Sequence, residues 1–351
     1  MNFRESFSVL ELYKCHKLCR RNKQHKNETI NFELNLCRNI NELSRNILSH
    51  KYKPNNYRSF YVHEPKKRLI DSLSYGHRLV QRSICDNILK PKLEPYLIYD
   101  NVACRIGKGT HFALERLKKF LRMAYLQYGK DIYFLQCDIK KYFQSINHKI
   151  LKQYIKELKL EEESEDLILK YIDSYSFSGY GNNATGIPIG NQTSQWFALL
   201  YLNKMDRFIK EKLHIKFYIR YMDDFVLLHH DKEYLKFCLN EITKFVNNIK
   251  LSLNHKTQIN KISRGISFLG FRTILLENGK VLRLIRGSAK RRLKNNYRKS
   301  NFLFKYGAVD EDYLRVRFQS YKNHLFHGNC HKWFYMISKR YNKYDIKPEK
   351  K

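Results

Sequence analysis

Three aspartates carry the chemistry that is easiest to read in this sequence. Asp223 and Asp224 are adjacent in Tyr221-Met222-Asp223-Asp224, between two apolar runs, Phe217-Tyr218-Ile219-Arg220 and Phe225-Val226-Leu227-Leu228. That pattern predicts two strands joined by a tight turn. Neighbouring carboxylates in such a turn repel each other, and the flanking strands leave them little solvent. A divalent cation relieves both problems. An Asp-Asp turn is common in hairpins that do no chemistry, so a second element has to decide. Asp138 supplies it, following the apolar run Ile132-Tyr133-Phe134-Leu135 and Cys137 well upstream. Three carboxylates at the ends of adjacent strands can hold two Mg2+ ions, with Mn2+ as a substitute. Mg2+ favours such a sparse shell, completed by waters and phosphate oxygens. The chemistry is displacement at phosphorus, in which one ion activates a hydroxyl and the other neutralises a triphosphate and its pyrophosphate leaving group.

The composition fits a partner made of phosphates. Lys and Arg number 67 against 33 Asp and Glu in 351 residues, a formal net charge of +34. So large an excess repels itself in a folded chain and points to a polyanion. Nucleic acid is the first candidate and an anionic membrane surface the second. Lys-rich codon usage accounts for part of the charge, but not for Arg residues set among aromatics. The 26 Tyr and 22 Phe suit base stacking as well as core building. The chain is long enough for two or three packed subdomains. Its eight cysteines are scattered without a CxxC pair, and the N-terminus has no apolar signal run. No stretch is long enough to span a membrane. A reduced, cytoplasmic protein, not bound to membrane, is expected. Cys15-His16-x-x-Cys19 and the group His324, His327, Cys330 and His331 lack the paired spacing of zinc knuckles.

The elements that must position these groups follow from periodicity. Residues 1–50 read as helical and 51–75 as extended around a basic turn. The 3.6-residue pattern returns over 75–95 and 111–128. After the strand that leads to Asp138, helices are interrupted by a Gly/Asn-rich loop at 178–192. Helix is expected again over 195–212 and 232–249, short strands around Ile259 and over 266–275, and a basic helix over 288–300. The charged tail, 340–351, is expected to fray. There is no internal repeat. Strands and helices alternate around a small sheet, which indicates a mixed α/β (α+β) core.

With the motifs in this order, the sequence resembles reverse transcriptases of the bacterial retroelement and group II intron-like kind, over roughly residues 55–330. Cys137-Asp138-Ile139-Lys140-Lys141-Tyr142-Phe143 resembles their first palm motif. The resemblance implies that Phe143 packs against the sugar and leaves no room for a 2′-hydroxyl. Gly186-Ile187-Pro188-Ile189-Gly190-Asn191-Gln192-Thr193-Ser194-Gln195 resembles the second, a glycine turn before a helix N-terminus, where backbone can approach phosphate. It makes Ile189, Gly190 and Gln195 nucleotide-binding residues. Pro65-Lys66-Lys67-Arg68-Leu69-Ile70 resembles the hairpin that grips the triphosphate, through Arg68 supported by Lys66. Leu253-Asn254-His255-Lys256-Thr257 makes Lys256 a proton donor or charge stabiliser near the leaving group. Phe268-Leu269-Gly270 resembles the primer grip. Arg105 and Lys108 fall in a template-contacting loop, and Lys290, Arg291 and Arg292 on a helix that tracks a duplex backbone. The implied fold is a right hand, with an antiparallel palm sheet packed on helices. Its parts are a helical extension (1–50), fingers (51–130), palm (131–275, with an insertion around 150–185), and thumb with basic tail (276–351).

One departure narrows the resemblance. Many of these enzymes carry Gln-Gly followed by Ser-Pro in the second palm motif, whereas this chain has Ile189-Gly190 and Ser194-Gln195. That pattern is similar to reverse transcriptases of diversity-generating retroelements, in which it accompanies error-prone copying of template adenines. An aliphatic side chain at 189 removes a polar contact and rejects a mispaired nucleotide less strongly. The partners implied are a structured template RNA, a cDNA or primer strand, dNTPs and a small basic oligomeric accessory protein. The rival within the class is a reverse transcriptase of an anti-phage defence or retron-like system working with its own structured noncoding RNA. Outside the class, an idle RNA-binding scaffold is opposed by the intact carboxylate set, and a metal-dependent nuclease by the lack of further clustered ligands.

Overall fold

The computed structural model describes residues 1–63, 67–181 and 183–341. Helices α1 (Phe3–Ser6), α2 (Val9–Arg20), α3 (Asn27–Glu33) and α4 (Leu36–Leu48) come first. Asn2 and Glu5 form a reciprocal capping box on α1, and the Ser8 hydroxyl accepts from Glu11 N–H to start α2. Ile40, Ser44 and Ile47 of α4 are buried at helical spacing. Strands β1 (Arg58–Val62) and β2 (Arg68–Ser72) then pair antiparallel, with Ser59 opposite Asp71.

α5 (Tyr75–Ser83) passes into a π-helical segment, Ile84–Leu89, and then α6 (Lys90–Leu93), where periodicity alone suggested one helix. Pro91, in the first turn of α6, has no N–H to return to the preceding turn. α7 (Thr110–Tyr128) leads to β3 (Tyr133–Asp138), which runs to Asp138 itself. Helices α8 (Tyr142–Ser145), α9 (His148–Lys156), α10 (Glu162–Asp173), α11 (Gln192–Tyr201) and α12 (Asn203–Arg207) follow, the last continued by a π turn at Phe208–Lys212. The single helix expected over 195–212 is therefore broken at Leu202. β4 (Phe217–Tyr221), β5 (Asp224–His229), α13 (Lys232–Asn248) and β6 (Gln258–Lys261) complete the central motif. Strands β7 (Ile266–Phe268), β8 (Phe271–Leu275) and β9 (Val281–Ile285) form an antiparallel meander, followed by α14 (Gly287–Lys305), α15 (Glu311–Phe326) and α16 (His331–Tyr341).

The chain forms two compact units. The first comprises residues 1–104, 137–214 and 238–256. Here α2 packs on α5, α11 on α5, and α10 on α9, with Cys15, Tyr75 and Leu79 clustered and buried. The second comprises 105–136, 215–237 and the described residues from 257. It holds the body of a four-stranded sheet of order β4-β5-β3-β6, with α7 packed on β4 and β5. Ile285, Ala289, Leu293, Leu325, Cys330 and Phe334 form the core of its helical part.

β9 was not apparent in the sequence because its middle residue is charged. Arg283 points inward between Val281 and Ile285 and is only 5% exposed. Its guanidinium donates to the Leu114 carbonyl (2.6 Å), the His327 carbonyl (2.6 Å) and the Glu115 carboxylate (2.9 Å). One side chain thus ties β9 to α7 and to the end of α15. Replacing it with Met should leave two carbonyls unpaired and cost about 2–4 kcal/mol. Urea unfolding of Arg283→Met against wild type measures this.

Candidate active site

The Asp-Asp turn is held from both sides. Tyr221 pairs with Asp224 as the last rung of the β4–β5 ladder, and between them Met222 has φ +55°, the left-handed region. For a residue with a side chain that costs roughly 1–2 kcal/mol. The guanidinium of Arg220, fully buried in β4, donates to the Met222 carbonyl at 2.8 Å. On the far side, the Gln136 amide of β3 donates to Asp224 Oδ1 at 3.3 Å and to the Ser267 carbonyl at 2.8 Å. Because both partners only accept, the amide nitrogen must face them. Gln136 therefore links the carboxylate turn to the β7–β8 hairpin. That hairpin turns at Leu269 (φ +47°) and Gly270 (φ +88°), a pair of positive φ values that suits a two-residue turn.

Asp138, in the other unit, has its own support. The Asn254 side-chain amide donates to Asp138 Oδ2 at 2.9 Å, while Asn254 N–H donates to the Asp138 carbonyl at 2.7 Å. Lys140 N–H donates to the Ser252 carbonyl, and Ile139 and Leu253 form an isolated bridge. The segment that carries Lys256 is thereby fixed beside Asp138. Lys256 is exposed, with its backbone N–H on the Asn254 side-chain oxygen. Asp138 closes β3, and Asp224 opens β5.

The glycine loop is built onto the β1–β2 hairpin. Asp71 N–H of β2 donates to the Ile189 carbonyl at 3.0 Å. Gly190 has φ +147°, and a Cβ there would lie 2.6 Å from the Asp71 carbonyl oxygen. Gln192 N–H, at the start of α11, donates to the Gln81 side chain at 2.8 Å. Ile187 N–H donates to the carbonyl of Phe143, whose ring is half-buried and T-stacked on Tyr142. Gly186 is as confined as Gly190: a Cβ would meet Phe177 at 2.6 Å. His148, 4% exposed, donates from Nε2 to the Gly186 carbonyl at 2.7 Å. Gln195 is exposed on α11, and Arg68 is exposed at the start of β2. Lys66 lies outside the described residues.

The remaining basic residues are spread more widely. Arg105 is half-buried, its carbonyl accepting from Lys108 N–H, and the Lys108 ammonium lies over the Phe112 ring at 5.7 Å. Lys290 lies 5.6 Å over the Trp333 ring, while Arg291 and Arg292 are exposed on α14. Sequence reasoning did not single out Gln136, Asn254 or Arg220. A Gln before an Asp, or an Arg inside an apolar run, signals nothing until the neighbouring strand is known.

The three aspartates fit a divalent ion in donor chemistry: each is a hard oxygen donor and each is half-buried. Among the described residues no group of three His, Cys, Asp or Glu side chains is placed to hold a metal ion by itself. An ion of the Mg2+ type takes one or two carboxylates and completes its shell elsewhere.

An antiparallel sheet with carboxylates at its strand ends in one unit, and a hairpin-supported glycine loop among helices in the other, define the right-hand polymerase fold. The chain is similar to apo telomerase from Candida tropicalis, with a TM-score of 0.51 and 16% identity over 85% of this chain and 62% of that one. It is likewise similar to telomerase from Candida albicans in complex with a TWJ fragment of telomeric RNA, with a TM-score of 0.50, 14% identity and coverage of 83% and 60%. Residues 52–273 match the family of reverse transcriptases (RNA-dependent DNA polymerases), and the chain belongs to that family. Reverse transcriptases generally use divalent metal ions. Among curated relatives, the COX1/OXI3 intron 2 protein of Saccharomyces cerevisiae is 25% identical over 190 residues, 51% of this chain and 20% of that protein. The group II intron-encoded protein LtrA of Lactococcus lactis subsp. cremoris is 24% identical over 189 residues, 51% and 29% respectively. The matched region thus spans less than a third of either relative. Among the described residues no helix is long and apolar enough to cross a membrane.

Two stability measurements test this construction. Gly190→Ala should destabilise the protein by roughly 2–4 kcal/mol, since the new methyl meets backbone that cannot swing aside and φ is strained, as read by urea unfolding. Burial holds His148 below the usual imidazole range, so its neutral form belongs to the folded state. Its contribution is then complete above about pH 6.5 and is lost as the pH falls below that value, through the lower one of the folded state. His148→Gln should flatten part of the acid slope of stability between about pH 7 and 5.

Proposed function

We propose that this chain is an RNA-directed DNA polymerase that extends a primer 3′-hydroxyl on a dedicated RNA template. The observation that carries this is the placement of Asp223 and Asp224 on the strained turn at the start of β5, held by Arg220 and Gln136. In this reading Asp138 and Asp223 are direct metal ligands, and Asp224 is a ligand or an electrostatic support. Two Mg2+ ions, or Mn2+, would supply charge neutralisation at the nucleophile and the leaving group. Gln136 and Asn254 orient the carboxylates. Arg68 and Lys66 hold the triphosphate, and Lys256 stabilises the departing pyrophosphate. The Phe143 ring excludes a 2′-hydroxyl, and Ile189, Gly190 and Gln195 line the incoming nucleotide. Phe268, Leu269 and Gly270 seat the primer end. Arg105, Lys108, Lys290, Arg291 and Arg292 neutralise template and duplex phosphates, which the net charge of +34 supports.

Ile189 and Gln195 favour error-prone copying of the diversity-generating kind, with a small basic accessory protein. A defence or retron-like role is the competing assignment. Primer extension on an RNA template, with dNTPs or rNTPs and Mg2+, tests the reading. Asp223→Asn should lower the rate about a thousandfold or more, the equivalent of roughly 4 kcal/mol at the transition state. Gln136→Leu should lower it about ten- to a hundredfold by leaving Asp224 unoriented, and EDTA should abolish it. Phe143→Ala should raise ribonucleotide use about tenfold or more. Product errors concentrated opposite template adenines support the diversity-generating assignment, and faithful copies the defence one. If the purified chain with its native RNA makes no Mg2+-dependent DNA, the polymerase reading is wrong.

A further inference from the structure

We infer that Asp71 and Tyr175 are positioning residues that set the geometry of the nucleotide-selecting loop, and through it the discrimination between right and wrong dNTPs. The inference rests on the polymerase reading and assigns part of its selectivity to side chains behind the substrate site.

Asp71 is 4% exposed, yet its carboxylate is engaged on both oxygens. Ser59, its cross-strand partner in β1, donates to Oδ1 at 2.5 Å, and the Tyr175 hydroxyl donates to Oδ2 at 2.8 Å. Burying a carboxylate is expensive unless its lone pairs are satisfied. Its main chain faces the loop: N–H to the Ile189 carbonyl, and C=O against the place where Gly190 has no side chain. The strand at Asp71 therefore fixes the height of Ile189-Gly190.

The other half of the arrangement returns to the same tyrosine. The Tyr175 ring stands edge-on to Tyr57, with centroids 5.4 Å apart. The Tyr57 hydroxyl accepts from the Asn191 amide at 3.0 Å and shares a hydrogen bond with Ser174 at 2.9 Å. Asp71, Ile189, Gly190, Asn191, Tyr57 and Tyr175 thus form a closed ring of contacts. Burial and the Asp71 carboxylate both raise the Tyr175 pKa, so its hydroxyl keeps the proton it donates. Opening the ring at the Tyr175–Asp71 bond leaves Ile189 with a range of positions, and a loosened wall distinguishes nucleotides less well.

Steady-state single-nucleotide incorporation by the full chain with its RNA template tests this. Tyr175→Phe should raise KM for the correct dNTP about three- to tenfold, the weight of one hydrogen bond. It should leave kcat within about twofold and lower the correct-to-incorrect ratio of kcat/KM by a similar factor. Asp71→Asn keeps both bonds, because an amide can accept from Ser59 and donate to the Tyr175 oxygen, and should restore wild-type values. Ser59→Ala, at an exposed strand position, frees the other oxygen of the same Asp71 carboxylate and reads its positioning role should Tyr175→Phe fail to fold. Tyr52→Phe is the control: it removes a buried hydroxyl bonded to His77 and Tyr171, outside the ring. Unchanged KM and discrimination in Tyr175→Phe, or in Ser59→Ala if that variant is needed, overturns the inference. So does an equal shift in Tyr52→Phe. A wild-type chain that makes no DNA removes the polymerase reading instead, and this inference with it.

Discussion

Two carboxylates cannot share a tight turn between buried strands without compensation, and much of the second unit is arranged around that cost. The turn itself is strained at Met222, so nothing local favours it. What holds it are the Arg220 guanidinium on the turn carbonyl, the apolar runs that bury β4 and β5, and, from far upstream, the Gln136 amide on Asp224. The guanidinium and the amide place positive charge or a donor proton near oxygens that would otherwise repel. The arrangement stabilises the acids enough to be folded but leaves them half-exposed, the condition in which a cation and a substrate phosphate can still reach them.

The fold answers this demand with two kinds of support. Rigid support comes from strand ladders that set the register of Tyr221 against Asp224 and of Phe268 against Phe271. Cross-element support comes from single amides that reach between them. Gln136 uses both of its protons, one on a carboxylate and one on the hairpin carbonyl, so a shift in either element is felt by the other. Asn254 does the same locally for Asp138, with side chain and main chain together.

What could be read from sequence follows from which residues repeat with a period. Asp138, Asp223 and Asp224 were legible because apolar runs of strand length end beside them, and β3, β4 and β5 fall where those runs lie. The long helices α7 and α13 were legible for the same reason. Gln136, Arg220, Asn254 and Asp71 were not. Each is a polar residue that interrupts a pattern, and its partner lies on a segment whose adjacency is a property of the fold. β9 was hidden by the same cause, since inward-pointing Arg283 reverses the apparent alternation. The helix break at Leu202 and the π turns were invisible because apolar residues at helical spacing continue through them.

The sheet order has a further consequence for solubility. An open four-stranded sheet has two free edges, and free edges invite another chain to add a strand. At one edge lies β4, with α7 packed against it. At the other lies β6, only four residues long, with exposed Gln258 and Lys261 at its ends and Lys261 ion-paired to Asp131 at 2.8 Å. A strand that short offers few rungs, and a charged group at its end is poorly placed in a continued ladder. Such a sheet offers little on its β6 edge to nucleate β-aggregation.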